Sequence, residues 1–439
     1  MCGIVGYVGP KNAVPLLIEG LTRLEYRGYD SAGVAVLQAD GTLAVRKRLG
    51  RLANLEAALD ETPVAGRLGI GHTRWATHGE PSEINSHPHL DCAGNIAVVH
   101  NGIIENYAAL RTELEAKGHV FRSQTDTEVI PHLVEEIIKS GAKNHAEAIR
   151  QALRRAQGAY ALGIVFRDEP EALYAARCGS PLIIGTDHGE QYIASDVPAI
   201  LNRVKQVIYL NDGELAVLRP AGVELSKLDG TPVQPEIKRV TLKAEAAERA
   251  GFETFMLKEI HEQPRVLRTL LEAHVRRDGA VDLGEATALL ESAAAGLQRV
   301  LILACGTAHY AGMYGRLLME RWTGIPCETD LGSEFRYRSP RLPEKTLVIA
   351  VSQSGETADT LASVRLAREM GCRVVSICNV PGSTLLRESD AALLTQAGPE
   401  IGVASTKAFT AQLMAFALLA LRLARLRGTL DAKRERELT

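Results

Sequence analysis

The chain has 439 residues, of which 46% are apolar and 23% are charged, and its formal net charge is −3. This composition predicts a soluble globular protein of two or three domains, and so small a net charge gives no reason to expect a nucleic-acid or membrane partner. The seven cysteines are odd in number and include no Cys-x-x-Cys pair, which predicts reduced thiols. The N-terminus has no signal-peptide pattern and the most apolar stretch (413–421) is too short to span a bilayer, so we expect a cytoplasmic protein.

Residues up to about 230 form a β-rich pattern in which short apolar, β-branched segments alternate with Gly, Asp and Asn turns. The predicted strands are 3–8, 33–37, 96–100, 160–166, 181–184 and 208–210. Helical periodicity interrupts them at 12–24 and 127–140. This mixture predicts an α+β fold with helices packed on antiparallel sheets.

A polar, charged stretch over 232–250 predicts a linker, and helical pieces follow around 256–273. From residue 299 the rhythm becomes strand, helix, strand, which predicts a doubly wound α/β domain with a parallel sheet. The predicted strands there are 300–304, 327–331, 346–351, 374–378 and 391–394, with helices at 357–370 and 405–426.

Cys2 directly follows the initiator methionine. Removal of Met1 would leave a thiol and a free α-amine on one residue, and an α-amine that titrates near ~8 can take a proton at physiological pH. A nucleophile paired with its own N-terminal amine is an established arrangement for acyl transfer. A cysteine at position 2 is often incidental, so this interpretation depends on the residues around it.

Three further polar segments could complete such a site. Arg74 lies just after a short predicted strand, and its planar guanidinium suits a carboxylate. Asn101 and Gly102 end another strand and offer an amide and a backbone N–H, as an oxyanion hole requires. Asp126 offers a carboxylate for an amino group. Each also has an ordinary explanation, since Asn-Gly forms turns and Asp126 precedes a predicted helix.

Several histidines raise the question of a zinc site: His72, His78, His87, His89 and His100. Their spacings match no helical or finger pattern, and no cysteine pair accompanies them. We therefore expect no metal and no other cofactor.

The second half carries polar loops at the ends of its predicted strands. The loop after 346–351 contains Ser352, Ser354 and Thr357, together with a glycine, before a helix begins. Hydroxyls and a helix N-terminus favour a phosphate, although the same residues also serve simply as helix caps. Residues 304–307 and 402–407 occupy comparable positions, and none of these turns carries a nucleotide-binding glycine motif.

The segments 1–6, 23–33, 72–80 and 100–106 resemble the class II glutamine amidotransferases and, within them, the glutamine–fructose-6-phosphate aminotransferase (glucosamine-6-phosphate synthase) family. The resemblance implies an Ntn-hydrolase fold of stacked antiparallel sheets between helices. It implies that Cys2 attacks the glutamine amide to form a glutamyl thioester, and that Asn101 and Gly102 form the oxyanion hole. The implied glutamine-binding residues are Arg74 for the α-carboxylate, Asp126 for the α-amine, and the closing loop with Trp75, Thr77 and His78, in which Trp75 also gates ammonia passage.

The segments 352–359 and 401–409 resemble the first sugar isomerase (SIS) domain of that family. The implied sugar-phosphate-binding residues are Thr307, Ser352, Gln353, Ser354, Thr357 and Ser405. Ala308 stands where the family motif has serine, a loss of about 1 kcal/mol if that hydroxyl makes one neutral hydrogen bond. Family members continue into a second SIS domain with the acid–base residues for isomerisation and the Schiff-base lysine. We expect that domain to be absent here, so that this chain lacks the full isomerase and synthase site. Lys407 belongs to the first-copy motif and is not that lysine.

On this resemblance the predicted domains are a glutaminase domain over 2–230, a linker with leading helices over 231–290, a first SIS domain over 291–428 and a tail over 429–439. The implied function is transfer of the glutamine amide nitrogen to fructose 6-phosphate, giving glucosamine 6-phosphate and glutamate, the first step of hexosamine (UDP-N-acetylglucosamine) synthesis. The implied partners are L-glutamine, fructose 6-phosphate and a second copy bound through the SIS half. Two alternatives stay open: a stand-alone glutaminase whose SIS domain senses sugar phosphate, and a non-catalytic regulatory protein.

Overall fold

Two units, Met1–Ala244 and Glu245–Thr439, make up the computed structural model, which describes residues 2–25, 28–240, 251–338 and 340–439. Met1, residues 26–27 of the 23–33 segment and residues 241–250 of the predicted linker lie outside the described residues.

The first unit is built from strands and helices that alternate along the chain. They are β1 (Gly3–Val8), α1 (Ala13–Thr22), β2 (Ser31–Gln38), β3 (Leu43–Leu49), α2 (Leu52–Glu61), β4 (Gly66–Arg74), β5 (His89–Leu90), β6 (Ile96–Ile104), α3 (Tyr107–Ala116), α4 (Val129–Lys139), α5 (His145–Arg155), β7 (Gly158–Phe166), β8 (Leu173–Cys178), β9 (Ile183–Asp187), β10 (Glu190–Ala194), β11 (Gln206–Tyr209), β12 (Glu214–Arg219), β13 (Gly222–Lys227), β14 (Pro232–Val233) and β15 (Ile237–Arg239).

These strands form two antiparallel sheets stacked face to face. One runs in the order β15-β11-β9-β10-β1-β4-β2-β3 and the other in the order β14-β13-β12-β8-β7-β6-β5. A shared core lies between the sheets, while α1 and α2 cover the outer face of the first sheet and α3, α4 and α5 that of the second. The predicted α+β class with stacked antiparallel sheets between helices is confirmed.

Strand β1 shows how the sequence produces this layering. Because side chains alternate along a strand, Ile4 and Val8 enter the core between the sheets, while Val5 and Tyr7 pack in the cluster that contains α1. Gly6 keeps the inner face close-packed, since a Cβ there would lie 2.7 Å from Ile193 Cγ1. Both faces of β1 are therefore buried, which holds the residue before it, Cys2, on a rigid support.

The second unit contains a five-stranded parallel sheet and helices. Its elements are α6 (Phe255–His274), α7 (Glu285–Ala293), β16 (Arg299–Ala304), α8 (Thr307–Thr323), β17 (Cys327–Leu331), α9 (Gly332–Phe335), β18 (Thr346–Ser352), α10 (Ala358–Glu369), β19 (Arg373–Cys378), α11 (Thr384–Glu388), β20 (Ala391–Leu394), α12 (Lys407–Arg427) and α13 (Ala432–Leu438). The strand order is β17-β16-β18-β19-β20, with every neighbouring pair parallel.

Helices cover both faces of this sheet. On β16, Val300 and Ile302 belong to the core shared with α8 and α12, while Leu301 and Leu303 belong to the core shared with α10. The doubly wound fold predicted for the second half is confirmed. β16, the first strand of this unit along the chain, lies between β17 and β18 in the sheet. The order in which strands are added to the sheet therefore reverses between β16 and β18.

Helix α12 corrects the expectation drawn from the 413–421 stretch. The whole helix has 21 residues and a mean hydropathy of 1.4 in its apolar window, so by length and composition it could cross a membrane. Ala411, Phe416 and Leu419 are fully buried in the core of the second unit. Packing against α8 and α6 therefore accounts for its apolar character.

Candidate functional site

The thiol of Cys2 is anchored on the loop that follows β4. Strand β1 pairs with β4 so that Gly3 lies opposite Thr73, which brings Cys2 beside Trp75. The Trp75 N–H donates to Cys2 Sγ over 3.2 Å, and Sγ lies 3.4 Å from the Trp75 carbonyl oxygen. The N–H and the carbonyl of Trp75 together fix the position of the sulfur beside the loop after β4.

Asp30 holds this loop in place, a contact that the sequence analysis did not assign. Its carboxylate accepts a hydrogen bond from the Ala76 N–H at 2.7 Å, and its own N–H donates to the Arg74 carbonyl at 3.0 Å. Gly28 allows the close approach, because a Cβ there would lie 2.6 Å from the Arg74 carbonyl carbon. The 23–33 segment thus supports the loop beside Cys2.

Asn101 reaches from the second sheet to the nucleophile. Its amide nitrogen donates to the Cys2 carbonyl at 3.0 Å and to Ser195 Oγ at 2.9 Å, and Ser195 Oγ also accepts from the Ile4 N–H at 2.7 Å. Both amide hydrogens are engaged, so donation to an oxyanion requires one of these acceptors to be released or shared. No sequence signal pointed to Ser195, which lies 94 positions from Asn101.

Gly102 follows with a backbone that other residues rarely adopt. Its φ is +130°, and a Cβ would lie 2.0 Å from the Ala159 carbonyl oxygen. Only glycine fits this position beside β7. The prediction that Asn101 and Gly102 end a strand is wrong, because β6 continues to Ile104 and pairs both residues with β7. Asn101 contacts Cys2 from within this strand, and Gly102 follows it.

A row of buried histidines supports Asn101. His72 Nε2 donates to Asn101 Oδ1 and to the His100 carbonyl, each at 3.0 Å. His87 stacks on His72 with ring centroids 4.2 Å apart, and His87 Nδ1 accepts from the His100 N–H at 3.1 Å. Burial lowers the pKa of His72 to about 3 and also lowers the pKa values of His87, His89 and His100, so these rings are neutral hydrogen-bonding groups.

Arg74 is buried at the end of β4, where it binds the carbonyls of the following loop. Its guanidinium donates to the His78 carbonyl, to Gly79 O at 3.0 Å and to Glu80 O at 3.4 Å. Desolvation lowers the pKa of Arg74, while the charges of Cys2, Asp30 and Asp126 oppose that shift. Arg74 therefore keeps its charge and shapes the 78–80 loop in this structure.

Asp126 is buried and accepts a hydrogen bond from the Ile104 N–H at 2.7 Å. Its neighbour Thr127 bonds His100 Nδ1 at 2.8 Å. These contacts tie the residues before α4 to the end of β6, so that Asp126 belongs to the same region as Asn101 and Arg74.

The remaining predicted glutamine-site residues lie on the loop after β4. Trp75 is 40% exposed and meets the Tyr29 ring edge-on at 5.4 Å, and Thr77 is exposed. The His78 ring contacts Tyr107 edge-on at 5.4 Å. Asp30 holds this loop at Ala76 and Arg74 holds it at 78–80, while the side chains of Trp75 and Thr77 are exposed.

In the second unit, the predicted phosphate loop lies at the reversal point of the sheet. The carboxyl ends of β16 and β18 adjoin, with Ala304 opposite Val351, and such reversal points form the ligand crevice of open α/β sheets. Ser352 Oγ bonds Thr357 Oγ1 and accepts from the Gly355 N–H, each at 3.0 Å. Thr307 is exposed at the start of α8, beside this loop.

The other members of the predicted set are arranged around that loop. Ser354 Oγ accepts from the Glu356 N–H at 3.2 Å, and the Gln353 carbonyl accepts from the Asn379 N–H at 3.2 Å. Gly355 has φ +67°, and a Cβ there would lie 2.1 Å from Ser383 Oγ. The loop is therefore folded tightly onto the segment after β19.

Ser405 makes a contact that the sequence did not predict. Its hydroxyl donates to Glu400 Oε2 at 2.9 Å, and Glu400 Oε1 accepts from the N–H groups of Thr406 and Ala408 at 2.9 and 3.0 Å. A carboxylate of the chain itself thus occupies the N-terminus of α12, where an anion is favoured. Lys407 is buried and bonds Glu262 Oε2 at 2.6 Å, and Ala308 is buried in the core.

Comparisons with known proteins agree with this division of the chain. The family described as "Glutamine amidotransferase domain" matches residues 72–202, and the family described as "SIS domain" matches residues 295–422. Relatives named glutamine–fructose-6-phosphate aminotransferase [isomerizing] include one from Symbiobacterium thermophilum, 54% identical over 98% of this chain and 70% of its own length. Another, from Clostridium perfringens, is 50% identical over the same shares.

Among solved structures, the C-terminal domain of glucosamine-fructose-6-phosphate aminotransferase from Francisella tularensis aligns with a TM-score of 0.41. It is 40% identical over 43% of this chain and 53% of that one. The chain thus spans about 70% of the length of the curated relatives reported above.

Proposed function

Because the chain belongs to the glutamine–fructose-6-phosphate aminotransferase family, we propose that it hydrolyses glutamine at Cys2 and directs the released nitrogen to fructose 6-phosphate. The products are glutamate and glucosamine 6-phosphate, at the entry to hexosamine synthesis. The observation that carries the proposal is the contact between Asn101 Nδ2 and the Cys2 carbonyl at 3.0 Å, because it brings an oxyanion donor of one sheet to a nucleophile of the other.

The chemistry follows from these groups once Met1 has been removed. The Cys2 thiol gives its proton to the α-amine, and the sulfur attacks the glutamine side-chain carbonyl carbon. Asn101 Nδ2 and the Gly102 N–H stabilise the oxyanion, and collapse releases ammonia, which takes the proton back. Water then cleaves the thioester through the same oxyanion, giving glutamate and the free thiol.

Charged residues near Cys2 suit the amino-acid end of glutamine. In the proposal Arg74 binds the α-carboxylate and Asp126 the α-amine, and the loop with Trp75, Thr77 and His78 closes over the substrate. Burial of Arg74 and Asp126 supports these roles, because charge-assisted bonds are stronger away from water. For Arg74 to bind the carboxylate, part of its hydrogen bonding to the 78–80 carbonyls has to be shared with the substrate.

The proposed sugar-phosphate site is the crevice at the carboxyl ends of β16 and β18. Its residues are Thr307, Ser352, Gln353, Ser354 and Thr357, with Ser405 at its margin. The hydroxyls of Ser352 and Thr357, 3.0 Å apart, support a phosphate there. Ser405 can bind the phosphate only if its hydroxyl releases Glu400. We therefore expect Ser405 to contribute less to sugar-phosphate binding than Ser352.

A second copy of the chain is the proposed macromolecular partner. Helix α8 exposes apolar side chains at i, i+3, i+4 and i+7, namely Tyr310, Met313, Tyr314 and Leu317. An apolar stripe of this spacing is typical of a helix that packs against a partner. Light scattering should give a dimer that Leu317→Lys converts to a monomer, with Ile237→Lys as an exposed control in the first unit. A monomeric parent chain would overturn this part of the proposal.

All seven cysteines lie among the described residues, and no disulfide joins any two of them. This supports placing the chain in a reducing, cytoplasmic environment.

The function is tested by measuring glutamate and glucosamine 6-phosphate from glutamine and fructose 6-phosphate. We expect glutamate from the parent chain, none from Cys2→Ala, and normal amounts from the control Cys178→Ser, and we expect glucosamine 6-phosphate only when the second SIS domain of the family is also present. Glutamate release that fructose 6-phosphate stimulates, without glucosamine 6-phosphate even when that domain is supplied, would instead favour a sugar-sensing glutaminase. No glutamate from protein that has lost Met1 would contradict the proposal and favour a regulatory protein.

A further inference from the structure

A second cluster of reactive side chains lies in the first unit, apart from the residues assigned to glutamine. Cys92 lies in the turn between β5 and β6, His119 follows α3, and His132 and Glu135 lie one turn apart on α4. His119, His132 and Glu135 are buried and Cys92 is partly buried. One possible ligand atom from each residue lies within 4.8 Å of the corresponding atom of every other.

The distances between these atoms match the distances between ligand atoms in a tetrahedral metal site. Cys92 Sγ lies 3.5 Å from His119 Nδ1 and 3.4 Å from His132 Nδ1, and the two nitrogens are 3.3 Å apart. Glu135 Oε2 lies 3.1 Å from His119 Nδ1 and 3.6 Å from His132 Nδ1. Zinc bonds of ~2.0–2.1 Å to nitrogen and ~2.3 Å to sulfur place tetrahedral ligand atoms about 3.3 to 3.6 Å apart.

The outer nitrogens of both imidazoles face carboxylates. His119 Nε2 lies 3.3 Å from Glu136 Oε2, and His132 Nε2 lies 3.7 Å from Glu128 Oε1. The hydrogen bond to Glu136 favours the proton on His119 Nε2, and the charge of Glu128 favours the proton on His132 Nε2 without a hydrogen bond, which leaves the lone pair of each Nδ1 directed into the cluster. Two lone pairs, a carboxylate oxygen and a sulfur then converge on one point, and a cation at that point would stabilise them.

The charges also suit a divalent ion. Lys139 binds Glu135 Oε1 at 2.7 Å, while Oε2 accepts from the Cys92 N–H at 3.2 Å and keeps a second lone pair for the cluster. One carboxylate and one thiolate balance the two charges of Zn²⁺, and the thiol proton leaves when the metal binds. One sulfur, two nitrogens and one oxygen in a tetrahedron are a donor set typical of zinc.

We propose that Cys92, His119, His132 and Glu135 bind a zinc ion in a structural site. Four protein ligands leave no open position for substrate, so the ion is structural and takes no part in glutamine hydrolysis. It links the β5–β6 turn, the segment after α3 and the helix α4. Because α4 begins three residues after Asp126, the ion also stabilises the segment that carries this residue.

Without a metal, hydrogen bonds among the same residues would have to stabilise these polar atoms. A doubly protonated His119 could donate from Nδ1 to Glu135 and from Nε2 to Glu136, with Cys92 as a neutral thiol. That arrangement requires no zinc and leaves Cys92 open to alkylation at all zinc concentrations.

The first test is the metal content of the full chain after purification, exposure to zinc and gel filtration. We expect one zinc per chain in the parent protein and in the control Cys178→Ser, and none in Cys92→Ser or His132→Gln. Removal of the ion with a chelator should lower the melting temperature of the parent and leave that of Cys92→Ser unchanged. A parent chain that retains no zinc, or variants that retain as much as the parent, would overturn the proposal.

A second measurement avoids any dependence on the variants folding. Cobalt(II) titrated into the metal-free parent chain should give a thiolate-to-cobalt charge-transfer band and the intense visible bands of tetrahedral cobalt. Zinc should protect Cys92 from alkylation while the labelling of Cys178 stays the same. A weak octahedral spectrum, or labelling of Cys92 that zinc does not change, would contradict a zinc site and support the protonated His119.

Discussion

Asn101 is the side chain through which the two sheets of the first unit meet at Cys2. Its amide donates to Cys2 and Ser195, and its oxygen accepts from His72, so the three contacts orient it from three sides. In the proposed reaction one of the amide hydrogens moves from the Cys2 carbonyl to the oxyanion. Asn101 is therefore already oriented before the reaction. It donates to the substrate oxygen only when negative charge develops on that oxygen in the transition state.

Asn101→Ala should lower kcat for glutamate release about 10²- to 10³-fold, which corresponds to the loss of one oxyanion donor. Labelling of the Cys2 thiol by a small alkylating reagent should stay close to that of the parent, because the Trp75 N–H still reaches the sulfur. Asn54→Ala, at an exposed asparagine of α2, serves as the control. An Asn101→Ala variant with parental kcat would contradict the assignment.

The buried histidines give a prediction about pH. The folded pKa values of His72, His87, His89 and His100 lie below the ordinary value, so the unfolded chain takes up protons first as the pH falls. The histidines therefore leave the free energy of unfolding unchanged above pH ~7. As the pH falls below ~6.5, each of them lowers that free energy by up to ~1.4 kcal/mol per pH unit.

Urea unfolding between pH 7.5 and pH 5.5 measures this slope. We expect His87→Gln to give a shallower slope than the parent by about one histidine's contribution, and His188→Gln, whose side chain is 99% exposed, to leave it unchanged. Equal slopes for the parent and His87→Gln would show that the buried rings are not neutral in the folded chain.

At the scale of elements, the loop after β18 is the structure on which the sugar-phosphate site depends. Gly355→Ala would force a Cβ against Ser383 Oγ at 2.1 Å and Cys378 Sγ at 2.8 Å, so we expect loss of fructose 6-phosphate binding in calorimetry. Gly371→Ala is the matched control, because its φ of +81° is also positive but its Cβ meets nothing within 4 Å. It should cost about 1 kcal/mol of stability and leave binding intact. Unchanged fructose 6-phosphate binding in Gly355→Ala would show that this loop does not form the sugar-phosphate site.

Glu400 at the start of α12 supplies a further prediction. Its carboxylate accepts from two backbone N–H groups and from Ser405, so Glu400→Ala should destabilise the second unit by about 1–2 kcal/mol. Glu344→Gln, at an exposed position, is the control. Equal denaturation midpoints for Glu400→Ala and the parent chain would show that this carboxylate does not stabilise the helix.

Local patterns predicted the fold classes and many of the elements but missed α2, α3 and α5, and they predicted the contacts between distant elements poorly. Short apolar runs such as 3–8 and 346–351 predicted strands, since a strand buried on both faces is apolar along its whole length. The motifs also located Cys2, Arg74, Asn101 and Asp126. Local patterns did not predict the contacts of Ser195 and Glu400 or the proximity of Cys92 to His119 and His132. These contacts depend on how the chain folds back on itself, which neighbouring residues do not reveal.

At the scale of the whole molecule, the chain combines a stacked-sheet unit that carries the proposed nucleophile with a doubly wound unit that carries the proposed phosphate crevice. The relatives reported above align with 98% of this chain and carry the name of one enzyme. This combination explains why one chain carries both sites, because nitrogen released at the first is to be used at the second. Release of nitrogen at the first site depends on Cys2 acting as an N-terminal nucleophile.

The most direct measurement is intact mass spectrometry of the chain, acid-quenched while it turns over glutamine, with peptide mapping of the adduct. We predict a chain that lacks Met1 and carries a glutamyl group on Cys2, and no adduct on Cys2→Ala. Glutamate release without any adduct, at the same rate in the parent and in Cys2→Ala, would contradict the account.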